Sequence, residues 1–264
     1  MGSRSLRKKQ FLTERPLCCF CGGKKPSQEI DHIPSRSIFN DRQWPEGFEF
    51  PACISCNRAT RYDEQIVALV SRFYPDPNDQ KHAAEFYRLC DEIYRYRPDI
   101  IEELRGSAAR KKRAAKSYSI EPNEGEAFGS LPLVAIGPKV NGAVSNFARK
   151  LVLALYYKHS GKILEHGAGI AIRWFSNIEI ASDFLPRELA TFLKGYPDII
   201  RCNTSLLDQF SYGYVFSECG KLSIFLCFFR KSFAIVGAVN LDSKKFDLPD
   251  IAEILGPFTH EESA

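Results

Sequence analysis

Residues 18–57 of the chain read CCFCGGKKPSQEIDHIPSRSIFNDRQWPEGFEFPACISCN, and this stretch decides the fold of the N-terminal part. Two Cys-x-x-Cys pairs bracket it: Cys18, Cys21, Cys53 and Cys56. Paired cysteines at this spacing are typical of four thiolates that bind one tetrahedral zinc ion. Cys19 is an alternative to Cys18, although its closer spacing to Cys21 fits such a knuckle less well. The spacing predicts a structural Zn²⁺ that folds a segment too short to build its own core.

The cysteine count and the N-terminus bear on the compartment. The chain has nine cysteines, an odd number. Its basic start is not followed by the apolar run of a signal peptide. No stretch approaches the roughly 20 continuous apolar residues of a membrane span. We therefore expect a cytoplasmic protein without a membrane partner, in which paired cysteines bind metal instead of forming disulfides.

The positive charge lies with the cysteine motif. The formal net charge is +4, and residues 1–120 carry 22 Lys/Arg against 16 Asp/Glu, a net of +6. Residues 121–264 carry 14 Lys/Arg against 16 Asp/Glu, a net of −2. This distribution is compatible with a polyanion that binds the N-terminal half.

An acid, a histidine and an amide lie close to the paired cysteines. Asp31 and His32 are adjacent between the pairs, and Asn57 directly follows Cys56. Hydrolysis of a phosphodiester needs an activated water and a cation at the phosphate. A neutral His32 can accept the proton of the water, while Asp31 and Asn57 can hold one divalent cation against the scissile phosphate. Two arginines that follow, Arg58 and Arg61, are candidates for binding flanking phosphates of nucleic acid.

This array of residues resembles the zinc-containing HNH endonucleases over about residues 16–65. The resemblance implies a ββα-metal active site in which His32 is the general base. It also implies that Asp31 and Asn57 bind the catalytic Mg²⁺ or Mn²⁺, since an amide oxygen is a suitable hard ligand. Many members of the family have histidine where this chain has Asn57.

One position departs from the family pattern. The middle asparagine of the family, which holds the active-site loop, should lie about five residues before the third cysteine. Phe48 occupies that position, and neither Gly47 nor Glu49 substitutes for an asparagine. Asn40 is a candidate to serve from elsewhere in the loop.

Periodicity beyond the motif predicts helices first and strands later. Apolar residues at helical spacing predict helices over residues 61–74, 79–97, 99–118, 141–159 and 185–193. We expect Asn141 to cap the fourth of these and Gly161 to follow its end. Strand-like runs occupy residues 168–175, 210–217, 222–229 and 233–240, and the last three predict an antiparallel meander. The predicted fold class is α+β: a small zinc-bound ββα-metal module, then helices, then an α+β domain with an antiparallel sheet.

Composition predicts four segments. They are a basic arm over 1–15, a zinc-bound nuclease module over 16–65, a helical segment with a basic linker over 66–120, and an α+β domain over 121–264. The predicted function is metal-dependent cleavage of nucleic acid, double-stranded DNA before RNA, of the kind found in bacterial defence, mobile elements and phage. Because cutting both strands often needs two copies, we predict a homodimer.

Two other classes of function remain open. In one, the zinc segment binds nucleic acid without cutting it. In the other, the protein is an interaction or sensor protein whose function lies in residues 121–264. The adjacent acid and histidine favour the nuclease, since a simple binding module does not need them.

Overall fold

A computed structural model describes residues 3–74, 80–131, 133–242, 246 and 252–259 of the chain. The helices are α1 Ser3–Glu14, α2 Ile54–Ala59, α3 Arg61–Val70, α4 Gln80–Tyr96, α5 Pro98–Arg105, α6 Ala108–Ser117, α7 Pro138–Ser160, α8 Asn177–Ala181 and α9 Glu188–Phe192. The strands are β1 Glu29–His32, β2 Glu49–Ala52, β3 Gly169–Ser176, β4 Ile200–Arg201, β5 Thr204–Ser205, β6 Ser211–Phe216, β7 Leu222–Phe229, β8 Phe233–Asn240 and β9 Glu253–Leu255. The fold is α+β, as the sequence predicts.

The N-terminal part has the order strand, strand, helix. Strands β1 and β2 pair antiparallel, so that Asp31 lies opposite Phe50 and His32 lies opposite Glu49. Helix α2 begins immediately after Cys53, whose sulfur accepts the Cys56 N–H at its first turn. The hairpin is only four residues long on each side. Such a short hairpin needs other elements to hold it.

The C-terminal part is built on one antiparallel sheet with the order β6-β7-β8-β3-β9. The predicted meander is confirmed, because β7 and β8 have the predicted bounds and pair with their sequence neighbours. The predicted strand over 168–175 is β3, which pairs with β8 on one side and with β9 on the other. Strand β9, which carries Glu253, is not predicted by the sequence pattern.

Helix α7 lies at the centre of the molecule. It packs against α3 and α5 from the first half and against β3, β7 and β8 from the second. One cluster of buried apolar side chains runs from Cys18 in the N-terminal part to Phe258 near the end of the chain. The division of the chain at residues 121–130 stays a prediction, but the described parts on either side of it share this core.

Several helix boundaries differ from the predicted ones, including the end of the helix predicted over 61–74, which stops at Val70. The helix predicted over 99–118 is two helices, because Gly106 has φ +58° between α5 and α6. Asn141 does not cap α7, which begins three residues earlier at Pro138. The carboxylate of Glu103 from α5 accepts the backbone N–H groups of Lys139 and Val140 at 3.2 and 2.9 Å. A residue from another helix therefore caps α7, which no local pattern shows. The predicted end at Gly161 is confirmed, with φ +69°.

The helix predicted over 185–193 is shorter, since α9 covers only Glu188–Phe192. A further helix, α8, begins after Ser176 with a capping box that Glu179 completes. The basic arm predicted over 1–15 forms helix α1. Within the described ranges, no helix combines the length and the apolar character that crossing a bilayer requires.

The contact between α7 and the sheet allows a stability test at two glycines. A Cβ on Gly237 of β8 would lie 2.2 Å from Val152 Cγ2, whereas a Cβ on Gly142 of α7 meets no atom within 4 Å. We expect Gly237→Ala to lower the free energy of unfolding by about 1–3 kcal/mol, because α7 must move off the sheet. Gly142→Ala should raise it by about 0.5–1 kcal/mol, since alanine favours helix. Urea denaturation measures both, and equal effects would contradict this packing.

Candidate metal centre and active site

Four buried cysteines form a cluster that fits a metal ion such as zinc. The sulfur atoms of Cys18, Cys21, Cys53 and Cys56 all lie within 4.8 Å of one another. A tetrahedral zinc about 2.3 Å from each sulfur places the sulfurs about 3.8 Å apart, so the cluster fits such an ion. Within the described ranges, no other group of three or more His, Cys, Asp or Glu side chains is this close.

Local backbone structure brings the four thiols together. Gly22 and Gly23 adopt φ values of +62° and +73°, which turn the chain tightly after Cys21. The backbone N–H groups of Phe20 and Cys56 point to the sulfurs of Cys18 and Cys53 at 3.4 Å. These N–H groups stabilise negative charge on the sulfurs, as a thiolate site for a metal requires.

The structure decides between Cys18 and its neighbour Cys19. Cys18 belongs to the cluster and Cys19 does not. Burial raises the pKa of Cys19 well above its ordinary value. Within the cluster, hydrogen bonds between the thiols lower the pKa of Cys21 to about 3 and raise the pKa of Cys56, so these cysteines interact with one another. Cys19 is therefore a buried neutral thiol, and the predicted set of four cysteines is the one that converges.

The metal content of two variants, Cys56→Ala and Cys19→Ala, tests which buried cysteines bind the ion. We expect Cys56→Ala to lose the metal and the cooperative unfolding of the N-terminal part, because three thiolates bind zinc weakly. Cys19→Ala should keep about one zinc ion per chain, as should the unsubstituted protein. Elemental analysis after gentle purification provides the measurement. Full metal content in Cys56→Ala, or its loss in Cys19→Ala, would reassign the cluster.

The carboxylate of Asp31 is buried against the ammonium of a distant lysine. Lys150, in the middle of α7, is fully buried, and its Nζ lies 2.6 Å from Asp31 Oδ2. The same ammonium donates to Glu64 Oε1 at 2.9 Å and to Thr60 Oγ1 at 2.8 Å. It also lies 5.3 Å from the ring centroid of Phe20, inside the cysteine knuckle. One lysine thus joins the hairpin, α3 and the knuckle to α7.

Electrostatics keep this cluster charged. Burial alone lowers the pKa of Lys150, but the carboxylates of Asp31 and Glu64 outweigh burial and raise it above its ordinary value. For Glu64, burial raises the pKa against the opposing effect of the ammonium. The ammonium of Lys150 therefore remains protonated and serves as the cation beside Asp31.

His32 faces the opposite side of β1 from Asp31, because neighbouring strand residues alternate. Its Nε2 lies 2.6 Å from an Arg36 Nη atom and 3.7 Å from Glu49 Oε1. Its ring meets the indole of Trp44 edge-on at 4.8 Å. An arginine N–H needs an acceptor, so Nε2 carries the lone pair in this contact. The imidazole is thus held as a potential proton acceptor in a partly exposed site.

The Asp31 side chain anchors His32 through the backbone. Asp31 Oδ1 accepts the His32 N–H at 2.8 Å.

Phe48, at the position of the family asparagine, packs its ring against Phe50 and Phe210 in the core. Asn40, the other candidate for that role, accepts a hydrogen bond from Arg230 at its Oδ1 at 2.8 Å.

The described contacts of Asn57, Arg58 and Arg61 do not involve His32. The Asn57 amide donates to the carboxylate of Glu29, which shares a face of β1 with Asp31. Asn57 therefore reaches the correct face of the hairpin, but it contacts Glu29 and not Asp31. Arg58 and Arg61 are exposed where α2 ends and α3 begins. Their predicted contact with phosphate stays a prediction.

Comparison with known proteins yields no relative. No family model, no curated protein and no solved structure matches the chain. The HNH resemblance therefore rests on the residues of the motif, and its confirmed part is a cluster of four cysteines that could bind a metal ion.

Several residues of the site are not found by sequence reasoning. Lys150 carries a detectable signal, because a single lysine interrupts the apolar face between Phe147 and Leu151 and a buried charge needs a partner. The side chains around His32 carry no such signal, since no periodicity or spacing relates them to the histidine, even where they are close in sequence, as Arg36 is. They are Arg7, Arg36, Trp44, Glu49 and Arg201.

Two lysines of α7 allow the buried ion cluster to be tested. Lys150→Met should lower the free energy of unfolding by about 3–5 kcal/mol, because it leaves two buried carboxylates without their cation. Lys158→Met loses a hydrogen bond to the Gly47 carbonyl and a contact of the ammonium with the Phe48 ring, and should cost about 1–2 kcal/mol. Chemical denaturation compares the two variants. Similar small losses in both would show that Lys150 is not the cation that compensates Asp31 and Glu64.

Proposed function

We propose that this protein is a zinc-stabilised endonuclease of the HNH type that hydrolyses phosphodiester bonds of nucleic acid, DNA in preference to RNA. The observation that carries the proposal is the partly exposed His32, anchored by Asp31 at the end of β1 and in contact with the guanidinium of Arg36. The ββα order and the cysteine cluster support the same interpretation. The four cysteines would hold the zinc, whose structural role leaves no open position for a water.

In this proposal His32 acts as the general base. A phosphate that draws the Arg36 guanidinium toward itself leaves Nε2 able to accept a proton from water. The resulting hydroxide attacks phosphorus, the bond to the leaving oxygen breaks, and that oxygen takes a proton from solvent. Arg36 stabilises the charge that develops on the phosphate oxygens, because a guanidinium matches them with paired N–H groups.

The predicted Mg²⁺ or Mn²⁺ on Asp31 and Asn57 does not fit the described contacts. Lys150 Nζ lies 2.6 Å from Asp31 Oδ2, and Asp31 Oδ1 accepts the His32 N–H. The Asn57 amide is bonded to Glu29. A divalent cation at this position would first require Lys150 to leave Asp31, so no step here is assigned to one.

The same ion pair favours a second candidate function, a module that binds nucleic acid without cutting it. With its carboxylate neutralised by Lys150, Asp31 acts as a support for the His32 backbone. A binding module would keep the arginines around His32 and lose nothing by lacking the divalent cation.

A cleavage assay separates these functions. We expect the protein to nick supercoiled plasmid, and His32→Ala to cut at least about 100-fold more slowly, because a general base typically contributes that much. Parallel reactions with Mg²⁺, Mn²⁺ or EDTA, and with RNA, measure the cation requirement and the substrate preference. His159→Ala, which removes an imidazole bonded to Tyr212, is the matched control.

Two outcomes would count against the nuclease. Equal rates of cutting by His32→Ala and by the unsubstituted protein would show that His32 is not the general base. A stable gel shift without cutting under any cation condition would support the binding module. Light scattering of the same preparation tests the proposed homodimer, and a monomer at micromolar concentration would contradict it.

A further inference from the structure

Two arginines lie over a single indole beside His32. The guanidinium carbon of Arg36 lies 3.7 Å from the ring centroid of Trp44, and that of Arg201 lies 4.1 Å from it. The His32 ring contacts the same indole edge-on. We refer to Arg36, Trp44 and Arg201 as the arginine–tryptophan stack. Its two arginines are 165 positions apart in sequence, so the fold alone brings them together.

The hairpin of β4 and β5 holds Arg201 in this position. Cys202 and Asn203 form its turn with φ values of +48° and +63°. Two hydrogen bonds tie the hairpin to Glu46 in the loop between β1 and β2. The Glu46 N–H donates to the Ile200 carbonyl at 3.0 Å, and the Glu46 carboxylate accepts the Cys202 N–H at 2.9 Å. Arg201 is therefore fixed against the candidate active site by contacts on both of its neighbours.

The charge arrangement at the stack favours an anion. Both guanidinium groups lie within 4.1 Å of one ring centroid, so two positive charges share one indole. Among the ion pairs of the described residues, none joins a carboxylate to Arg201. The charge of Arg201 is therefore available to an anion. Stacking on the indole also fixes the guanidinium planes and leaves their N–H edges to match phosphate oxygens.

Neighbouring elements extend the positive charge. Helix α1 presents Arg7, Lys8 and Lys9 to solvent, and Arg7 pairs with Glu49 of β2 at 2.7 Å. Glu49 in turn lies 3.7 Å from His32. A strand that passes His32 would thus lie close to Arg7 of α1 as well as to the stack, and basic side chains are what a polyanion requires.

We infer that the arginine–tryptophan stack binds the phosphate backbone of a nucleic-acid strand, with Arg201 contacting a phosphate next to the one that His32 serves. The identity of the strand rests on the proposed function. The inference adds a binding residue from the C-terminal part of the chain, so that the substrate site is shared by both halves of the protein.

Binding without cleavage tests this inference. A His32→Gln background keeps an acceptor for Arg36, and fluorescence anisotropy then follows a short labelled DNA duplex, a single DNA strand and an RNA strand. We expect Arg201→Ala to raise Kd about tenfold. It should also reduce the slope of log Kd against log salt concentration by about 0.9 on duplex, or by about 0.7 on a single strand.

Two further variants separate the effect of the planar guanidinium group of Arg201 on binding from the effect of its charge. Arg201→Lys should keep most of the salt dependence while weakening binding, because an ammonium keeps the charge but lacks the planar fork. Arg187→Ala removes an exposed arginine that pairs with Asp183, and it should change neither Kd nor the slope. The chain has two tryptophans, so Trp174→Phe leaves Trp44 as the emitter. Binding should then change the Trp44 emission.

The outcomes distinguish this inference from the proposed function. If the protein binds DNA and RNA equally well with and without Arg201, or binds neither, the inference is overturned. If binding depends on Arg201 but the unsubstituted protein never cuts, the stack is a nucleic-acid site and the nuclease proposal fails. If the protein cuts and Arg201→Ala cuts with an unchanged KM, the nuclease stands and the stack is overturned.

Discussion

The convergence of four thiols on one point is the constraint from which the rest of the N-terminal part follows. The hairpin of β1 and β2 has four residues on each side, and the segment around it is rich in turns. Chain entropy opposes ordering so many residues, and short strands return few contacts. A metal that binds the folded arrangement but not the extended chain converts its binding free energy into folding free energy. The position of Cys53 and Cys56 at the start of α2 then fixes where that helix begins, and with it the place of Asn57.

The buried ammonium of Lys150 gives the site its second constraint. Burying a charge is costly unless it is paired and fully hydrogen-bonded, and this lysine has three oxygen partners within 2.9 Å. It fixes Asp31, which in turn anchors the backbone at His32. The family resemblance assigns Asp31 to a divalent cation, whereas the structure gives it a cation from within the chain. The proposed chemistry therefore relies on Arg36 on the His32 face of the hairpin.

Sequence patterns predict what depends on local spacing. The cysteine pairs, the meander of β6, β7 and β8, and the end of α7 at Gly161 are all local signals, and the structure confirms them. The predicted start of α7 is wrong, because Glu103, a residue from a different helix, caps the helix. The surroundings of His32 are missed for the same reason. Arg201 and Trp44 meet only through the tertiary fold, and no periodicity records that contact. The resemblance points to His32 and Asp31 on the hairpin but not to the side chains that contact them.

Residues of the C-terminal half pack over the cysteine knuckle around Phe20 and Cys21, and this contact ties the knuckle to the rest of the protein. His166 donates to the Cys21 carbonyl at 3.0 Å, and the Phe258 N–H donates to the Phe20 carbonyl at 2.9 Å. A Cβ on Gly22 would lie 2.7 Å from the His166 ring, so the two surfaces fit closely. The cysteine segment is therefore not a cassette that could be excised and grafted onto another scaffold. Its inner surface is complementary to its own C-terminal half, and a host protein would have to reproduce that surface for the graft to fold.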